Sequence, residues 1–132
     1  MAGNPSGPVR AIRTDKAAQP GGHYAQAARD DHTVYVSGQL PVRPDGSHSY
    51  DEPFETQAAI ALENLLAIVE AAGSTAEDLL KVTVYLVGIE HWPAFNALYA
   101  ARMGAARPAR AIVPVPALHH GYLIEIEATA RG

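Results

Sequence analysis

Two hydrophobic periods share this chain, and together they restrict its fold more than any single motif does. Residues 33–40 alternate Val34 and Val36 with Tyr35 and Ser37, and residues 81–87 set Val82, Val84 and Leu86 against Thr83 and Tyr85. Residues 122–129 repeat the pattern, with Ile124, Ile126 and Ala128 against Glu125 and Glu127. A period of two belongs to a strand with one aliphatic face. Between these segments Phe54, Ala58, Leu62, Leu65, Val69 and Ala72 recur at steps of three and four, the stripe of an amphipathic helix. Three half-apolar strands need a cover, and the helix is the element that supplies it.

Local punctuation completes the pattern. Pro53 suits the first turn of the helix over residues 53–72 and Gly73 its C-terminal cap. A second helix is predicted over residues 92–102, with Pro93 in its first turn and Gly104 at its end. Ser74-Thr75-Ala76-Glu77 has the form of a capping box, and Pro44-Asp45-Gly46 that of a tight turn. Short strands are expected from about Val9 and over residues 111–115, where Pro114 and Pro116 remove amide donors from one side. That side must be a sheet edge, a bulge or a break in the ladder. The order predicts an α+β domain: a mixed β-sheet with two helices packed on one face. Residues 1–8, rich in Gly, Pro, Asn and Ser, read as a flexible tail, and residues 9–132 as one domain.

Composition narrows the functions open to such a domain. Ten basic residues against fourteen acidic ones give a net charge of −4, with no Lys/Arg-rich run, which argues against a nucleic-acid surface. No segment reaches the roughly 18 consecutive apolar residues of a membrane span, and no signal-like apolar region stands at the start. A soluble, cytoplasmic protein is expected. The absence of cysteine removes disulfides, thiolate metal sites and a thiol nucleophile. The six histidines show no ligand spacing, so no metal and no cofactor are expected; His119-His120 read as a solvated turn.

Chemistry concentrates near the C-terminus. Arg110 stands in Arg107-Pro108-Ala109-Arg110 at the entrance to an apolar run, and Glu125 lies inside the last strand. A guanidinium fork can grip a carboxylate through two hydrogen bonds, and a carboxylate can move protons or activate water. A strand, loop and strand between them could carry both groups to one pocket. The residues alone equally allow Arg110 as a surface ion-pair partner and Glu125 as an outward polar side chain. The polar faces of the three strands suit either solvent or a subunit interface, where Tyr35 and Tyr85 would bury their rings.

Several segments resemble, in order and spacing, the RidA family of reactive-intermediate enamine/imine deaminases, also called the YjgF or L-PSP group. They are Gly22-His23-Tyr24-Ala25-Gln26-Ala27, residues 34–41 (Val-Tyr-Val-Ser-Gly-Gln-Leu-Pro), Gln57 with Leu62-Glu63-Asn64-Leu65, Glu70-Ala71-Ala72-Gly73, and Asn96 with Tyr99. Pro108-Ala109-Arg110 and Ile124-Glu125-Ile126-Glu127-Ala128 complete the likeness. The resemblance implies a chorismate-mutase-like fold and a homotrimer whose active sites lie between subunits. It implies hydrolysis of 2-imino or enamino acids to 2-oxo acids and ammonia. Arg110 would hold the substrate carboxylate and Glu125 would transfer protons, with Glu127 structural. Tyr24, Ser37, Gly38, Asn96 and Ile112 would border the substrate.

The chain departs from the family pattern at several of these places. Ile112 stands where the family often has Cys, Ala111 follows the arginine in place of Ser, and His23 and His119 replace prolines. A greasier wall and an altered rim leave room for a pathway-specific enzyme on an aminomuconate-like or natural-product enamine. A non-catalytic trimer binding 2-oxo acids is a third reading. RNA cleavage, also described for the family, gains little from the acidic balance.

Overall fold

The computed structural model describes residues 8–132. Apart from Pro8, which is exposed and outside regular structure, the expected tail lies outside the described residues. Six strands, β1 (Arg10–Ile12), β2 (Ala27–Arg29), β3 (Thr33–Gln39), β4 (Leu79–Leu86), β5 (Ala109–Pro114) and β6 (Ile124–Arg131), form one sheet in the order β1-β2-β3-β6-β4-β5. Only β4 and β5 pair in parallel, so the sheet is mixed, as expected. Two helices, α1 (Phe54–Ala71) and α2 (Trp92–Met103), join β3 to β4 and β4 to β5.

The aliphatic face predicted from the alternation is the core. Val34, Val82, Val84, Leu86, Ile124 and Ile126 are fully buried, as are Ala58, Leu65 and Val69 of α1. Each large aliphatic side chain removed from water contributes about 1.5–3 kcal/mol, which offsets the entropy of ordering the chain. Phe95 of α2 is fully buried in the same layer. At the end of α1, Gly73 follows the cap residue Ala72 with φ 87°, a left-handed conformation that glycine adopts without a Cβ penalty.

Some boundaries differ from expectation. Pro53 is the residue before α1 rather than inside its first turn, because its ψ of 157° is extended. The capping box is shifted one residue: Asp78, not Glu77, accepts the Thr75 amide at 2.8 Å, while the Ser74 hydroxyl turns inward to the Arg131 carbonyl. Strand β2 went unpredicted because Ala27-Ala28-Arg29 lacks β-branched residues; its pairing with β3 holds it extended. Strand β5 begins two residues earlier than expected, which puts Arg110 within the sheet. It is an edge strand, which is where Pro114 is tolerated: the Val115 amide donates inward to the Leu86 carbonyl at 2.9 Å, leaving the positions on either side of it facing outward.

Buried polar side chains fix the loops around one end of the sheet. Gln26 is 2% exposed, accepts the Thr14 amide at 2.7 Å and donates to the Ala18 carbonyl at 2.9 Å, which pins the loop carrying Tyr24. Asn64 of α1 donates to the Val42 carbonyl at 2.7 Å, and Gln57 accepts the Leu123 amide at 3.0 Å. These contacts satisfy backbone groups that would otherwise be buried without a partner.

Candidate active site

Strand β3 slips by one residue against β6. Val36 pairs with Ala128, but Gln39 pairs with Ile126, so Ser37 and Gly38 share one bulge. The bulge is held from the other side, where the Ser37 amide donates to the Gln26 carbonyl at 2.9 Å and the Ser37 hydroxyl to the Ala25 carbonyl at 2.7 Å. It carries Gly38 against Glu125. A Cβ on Gly38 would lie 2.6 Å from Glu125 Oε2 and 3.1 Å from Cδ, so the missing side chain is the space that the carboxylate fills.

Glu125 pairs with Tyr85 on the face of the sheet opposite the core. Among the described residues no hydrogen bond reaches its carboxylate. Burial pushes its pKa above the usual carboxylate value, with His119 opposing the shift and Glu127 adding to it. Glu127, two residues on, accepts the Tyr85 hydroxyl at 2.8 Å. One of the two glutamates therefore has a partner on the sheet, and the other has none among the described residues.

A cavity of about 850 Å³ opens beside Glu125, with Tyr24, Ser37, Gly38, His48 and His119 among its lining. Tyr24 is 52% exposed, and its hydroxyl accepts the Gly21 amide at 3.2 Å. Four of the residues singled out from sequence, Tyr24, Ser37, Gly38 and Glu125, thus meet at one place.

Arg110 does not join them within the chain. It is in register with the buried Val82, so its side chain leaves the sheet on the helix side, whereas Glu125 leaves on the other. Its guanidinium carbon lies 4.9 Å from the Tyr99 ring centroid and 6.0 Å from that of Phe95. Tyr99, Met103, Arg107 and Arg110 border a second cavity of about 390 Å³ that shares no lining residue with the first. The Tyr99 hydroxyl is the one buried side-chain polar atom without a partner among the described residues. Burial raises its pKa, and Arg110 opposes the rise. Ile112 follows Arg110 on the same face and packs against the edge of the core, and Asn96 is half-buried on α2; neither borders either cavity.

Sequence reasoning missed His48 and His120. Both border the larger cavity; His119-His120 is the exposed turn expected from sequence, and it lies at the cavity's rim. Nothing in the spacing could join His48 to residues more than seventy positions away. The link is Tyr122, fully buried, whose hydroxyl lies 2.7 Å from His48 Nδ1 and accepts the Ser49 amide at 3.1 Å. Among the described residues no group of three His, Cys, Asp or Glu side chains is arranged to hold a metal ion, and no helix is long and apolar enough to cross a membrane.

Comparison with known proteins gives a consistent picture. The family model described as endoribonuclease L-PSP matches residues 14–131. A RutC family protein of Pyrococcus horikoshii is 39% identical, over 90% of this chain and 94% of its own. A 2-iminobutanoate/2-iminopropanoate deaminase of Rattus norvegicus is 38% identical, over 92% of this chain and 88% of its own. Among solved structures, E. coli TdcF with bound serine superposes with a TM-score of 0.87 at 33% identity, covering 93% of this chain and 98% of that one.

Proposed function

The chain belongs to the endoribonuclease L-PSP family, and from that premise we propose that it is an enamine/imine deaminase, hydrolysing 2-imino acids and their enamine tautomers to 2-oxo acids and ammonia. The observation that carries this reading is Glu125: a half-buried carboxylate with a raised pKa and no hydrogen bond, facing a cavity. Its proton affinity is displaced toward neutral pH, where a group that both takes and returns a proton works best.

In this reading water enters beside Glu125 and its oxygen attacks the C=N carbon. Glu125 takes a proton from the water and passes it to the nitrogen. Glu125 then takes the hydroxyl proton of the resulting carbinolamine and delivers it to the amino nitrogen, the C–N bond breaks as the carbonyl forms, and ammonia leaves. An enamine first takes a proton on its β-carbon and gives one up from nitrogen, which makes it the imine. Tyr24 and the Ser37-Gly38 bulge bound the space in which this occurs.

The substrate carboxylate is assigned to Arg110, whose planar fork matches it. Since Arg110 and Glu125 leave one chain on opposite faces, the reading requires that a second copy supply the arginine. A homotrimer with sites between subunits meets that requirement. Support comes from the unpartnered sheet face, where Tyr35 is 58% exposed, and from the bound serine of the TdcF neighbour, an amino acid with a carboxylate to be held. The deaminase relatives at 34–38% identity support the reaction class. RNA cleavage gains no comparable support: five arginines, Arg10, Arg13, Arg43, Arg102 and Arg131, are held in ion pairs with carboxylates.

The test is hydrolysis of freshly generated 2-iminopropanoate and 2-iminobutanoate, followed as loss of semicarbazone formation. Acceleration by the wild type, lost in Glu125→Ala and Arg110→Ala chains that fold normally, is the expected result. Binding of 2-oxobutanoate without acceleration would replace the enzyme with a binding trimer.

A further inference from the structure

Part of the wall of the cavity beside Glu125 is made of imidazoles. His48 and His120 approach with ring centroids 4.6 Å apart, and His119 and His120 with centroids 6.3 Å apart. All three border the cavity. His48 is anchored through Nδ1 to the Tyr122 hydroxyl at 2.7 Å. His120 is held at φ 62°, the one non-glycine residue with positive φ among those described, and one whose ring packs edge-on to Tyr122 at 6.0 Å. Histidine is one of the few non-glycine residues that adopt this left-handed conformation with some frequency. The rings of His119 and His120 make no hydrogen bond among the described residues, and His48, His119 and His120 are all exposed, so their ring nitrogens are open to a partner from outside the chain. Among the described residues Glu125 is the only carboxylate that borders this cavity, and it stands at the reacting end.

We propose that His48, His119 and His120 form a side-chain subsite that makes the protein selective for imino acids whose side chain ends in a carboxylate. The inference rests on the deaminase reading and names its substrate class. A terminal carboxylate supplies hydrogen-bond acceptors for imidazole N–H groups at the cavity wall. The reaction is unchanged: a dicarboxylic 2-imino acid and water give the dicarboxylic 2-oxo acid and ammonia. An acid-tailed substrate gains hydrogen bonds at this wall that a substrate with an apolar tail cannot make.

The experiment compares 2-iminoglutarate with 2-iminobutanoate, each generated in situ by an amino-acid oxidase, on the wild type, His120→Gly and His48→Phe. Glycine adopts the conformation of residue 120 freely, and phenylalanine keeps the ring packing at position 48, so both chains should fold. The expected wild-type kcat/KM ratio favours the acid-tailed imine by roughly tenfold or more, and each variant lowers that ratio by roughly tenfold. A wild type that favours 2-iminobutanoate, or variants that leave the ratio where it was, would overturn the subsite. Should neither imine be hydrolysed, the deaminase reading fails instead. Calorimetric binding of 2-oxoglutarate against 2-oxobutanoate then decides the subsite by itself: a wild-type preference for 2-oxoglutarate that His120→Gly removes supports it, and equal affinities refute it.

Discussion

Gly38 and Glu125 share one volume: the Glu125 carboxylate oxygen lies 2.6 Å from where a Cβ on Gly38 would be. The atom in the way is the end of a flexible side chain, so Gly38→Ala should move the carboxylate rather than break the fold. Stability should change by no more than about 1 kcal/mol. A displacement of the order of an ångström at a reacting group costs roughly 100-fold in rate. The expected result is a large fall in kcat on 2-iminobutanoate with an unchanged far-UV spectrum, and a fully active Gly38→Ala chain would show that the position of the carboxylate does not matter.

Glu125 also links activity to stability. Because burial raises its folded-state pKa, the folded chain binds its proton more tightly than the unfolded chain does. The favourable contribution is fully present below the unfolded carboxylate value of about 4.3, and it is lost as pH rises through the higher folded value. Above the folded value the ionised group is thus a burden on the fold, and there Glu125→Gln should melt at a higher temperature than the wild type while losing activity. The difference in melting temperature should shrink as the pH is lowered toward about 4, where both chains carry a neutral group. A Glu125→Gln chain less stable than the wild type above the folded value would mean that the carboxylate has a partner that holds it.

The sheet and helices were legible because one physical signal, the period of apolar residues, fixes both the type of element and its buried face. Val34, Val84 and Ile126 turned inward where alternation placed them, and Leu62 and Leu65 where the helical stripe did. The site was legible by halves. Tyr24, Ser37, Gly38 and Glu125 converge, yet placing Arg110 needed the register of β5, since a shift of one residue along a strand reverses the face that a side chain leaves from. Sequence gives no register for an edge strand joined through a helix. The histidine wall was hidden for another reason: His48 reaches His120 only through tertiary contacts around Tyr122, and no local pattern encodes such a meeting.

Arg110 lies over the Tyr99 ring, a contact worth about 0.5–1 kcal/mol where the cation is partly exposed. Arg110→Lys keeps the charge and should leave the melting temperature close to that of the wild type. It removes the planar fork, and kcat/KM on 2-iminobutanoate should fall roughly 100-fold, the loss of a two-pronged charged hydrogen bond. Steady-state kinetics on the two chains is the measurement. Retention of wild-type kcat/KM by Arg110→Lys would assign the carboxylate to another group.

The opposite faces of Arg110 and Glu125 give the shared site its most direct test. Arg110→Ala and Glu125→Ala chains should each be inactive alone, since every site then lacks one group. After co-refolding in equal amounts, a site that takes its arginine from one copy and its glutamate from another finds both intact in about a quarter of cases, as random mixing in a cyclic oligomer requires. Activity should return to roughly that fraction of the wild type, and size-exclusion with light scattering should report a trimer. If mixing restores nothing although the chains exchange, both groups of a site come from one chain. In that case Arg110, on the helix side of its own sheet, cannot be the group that holds a substrate in front of Glu125.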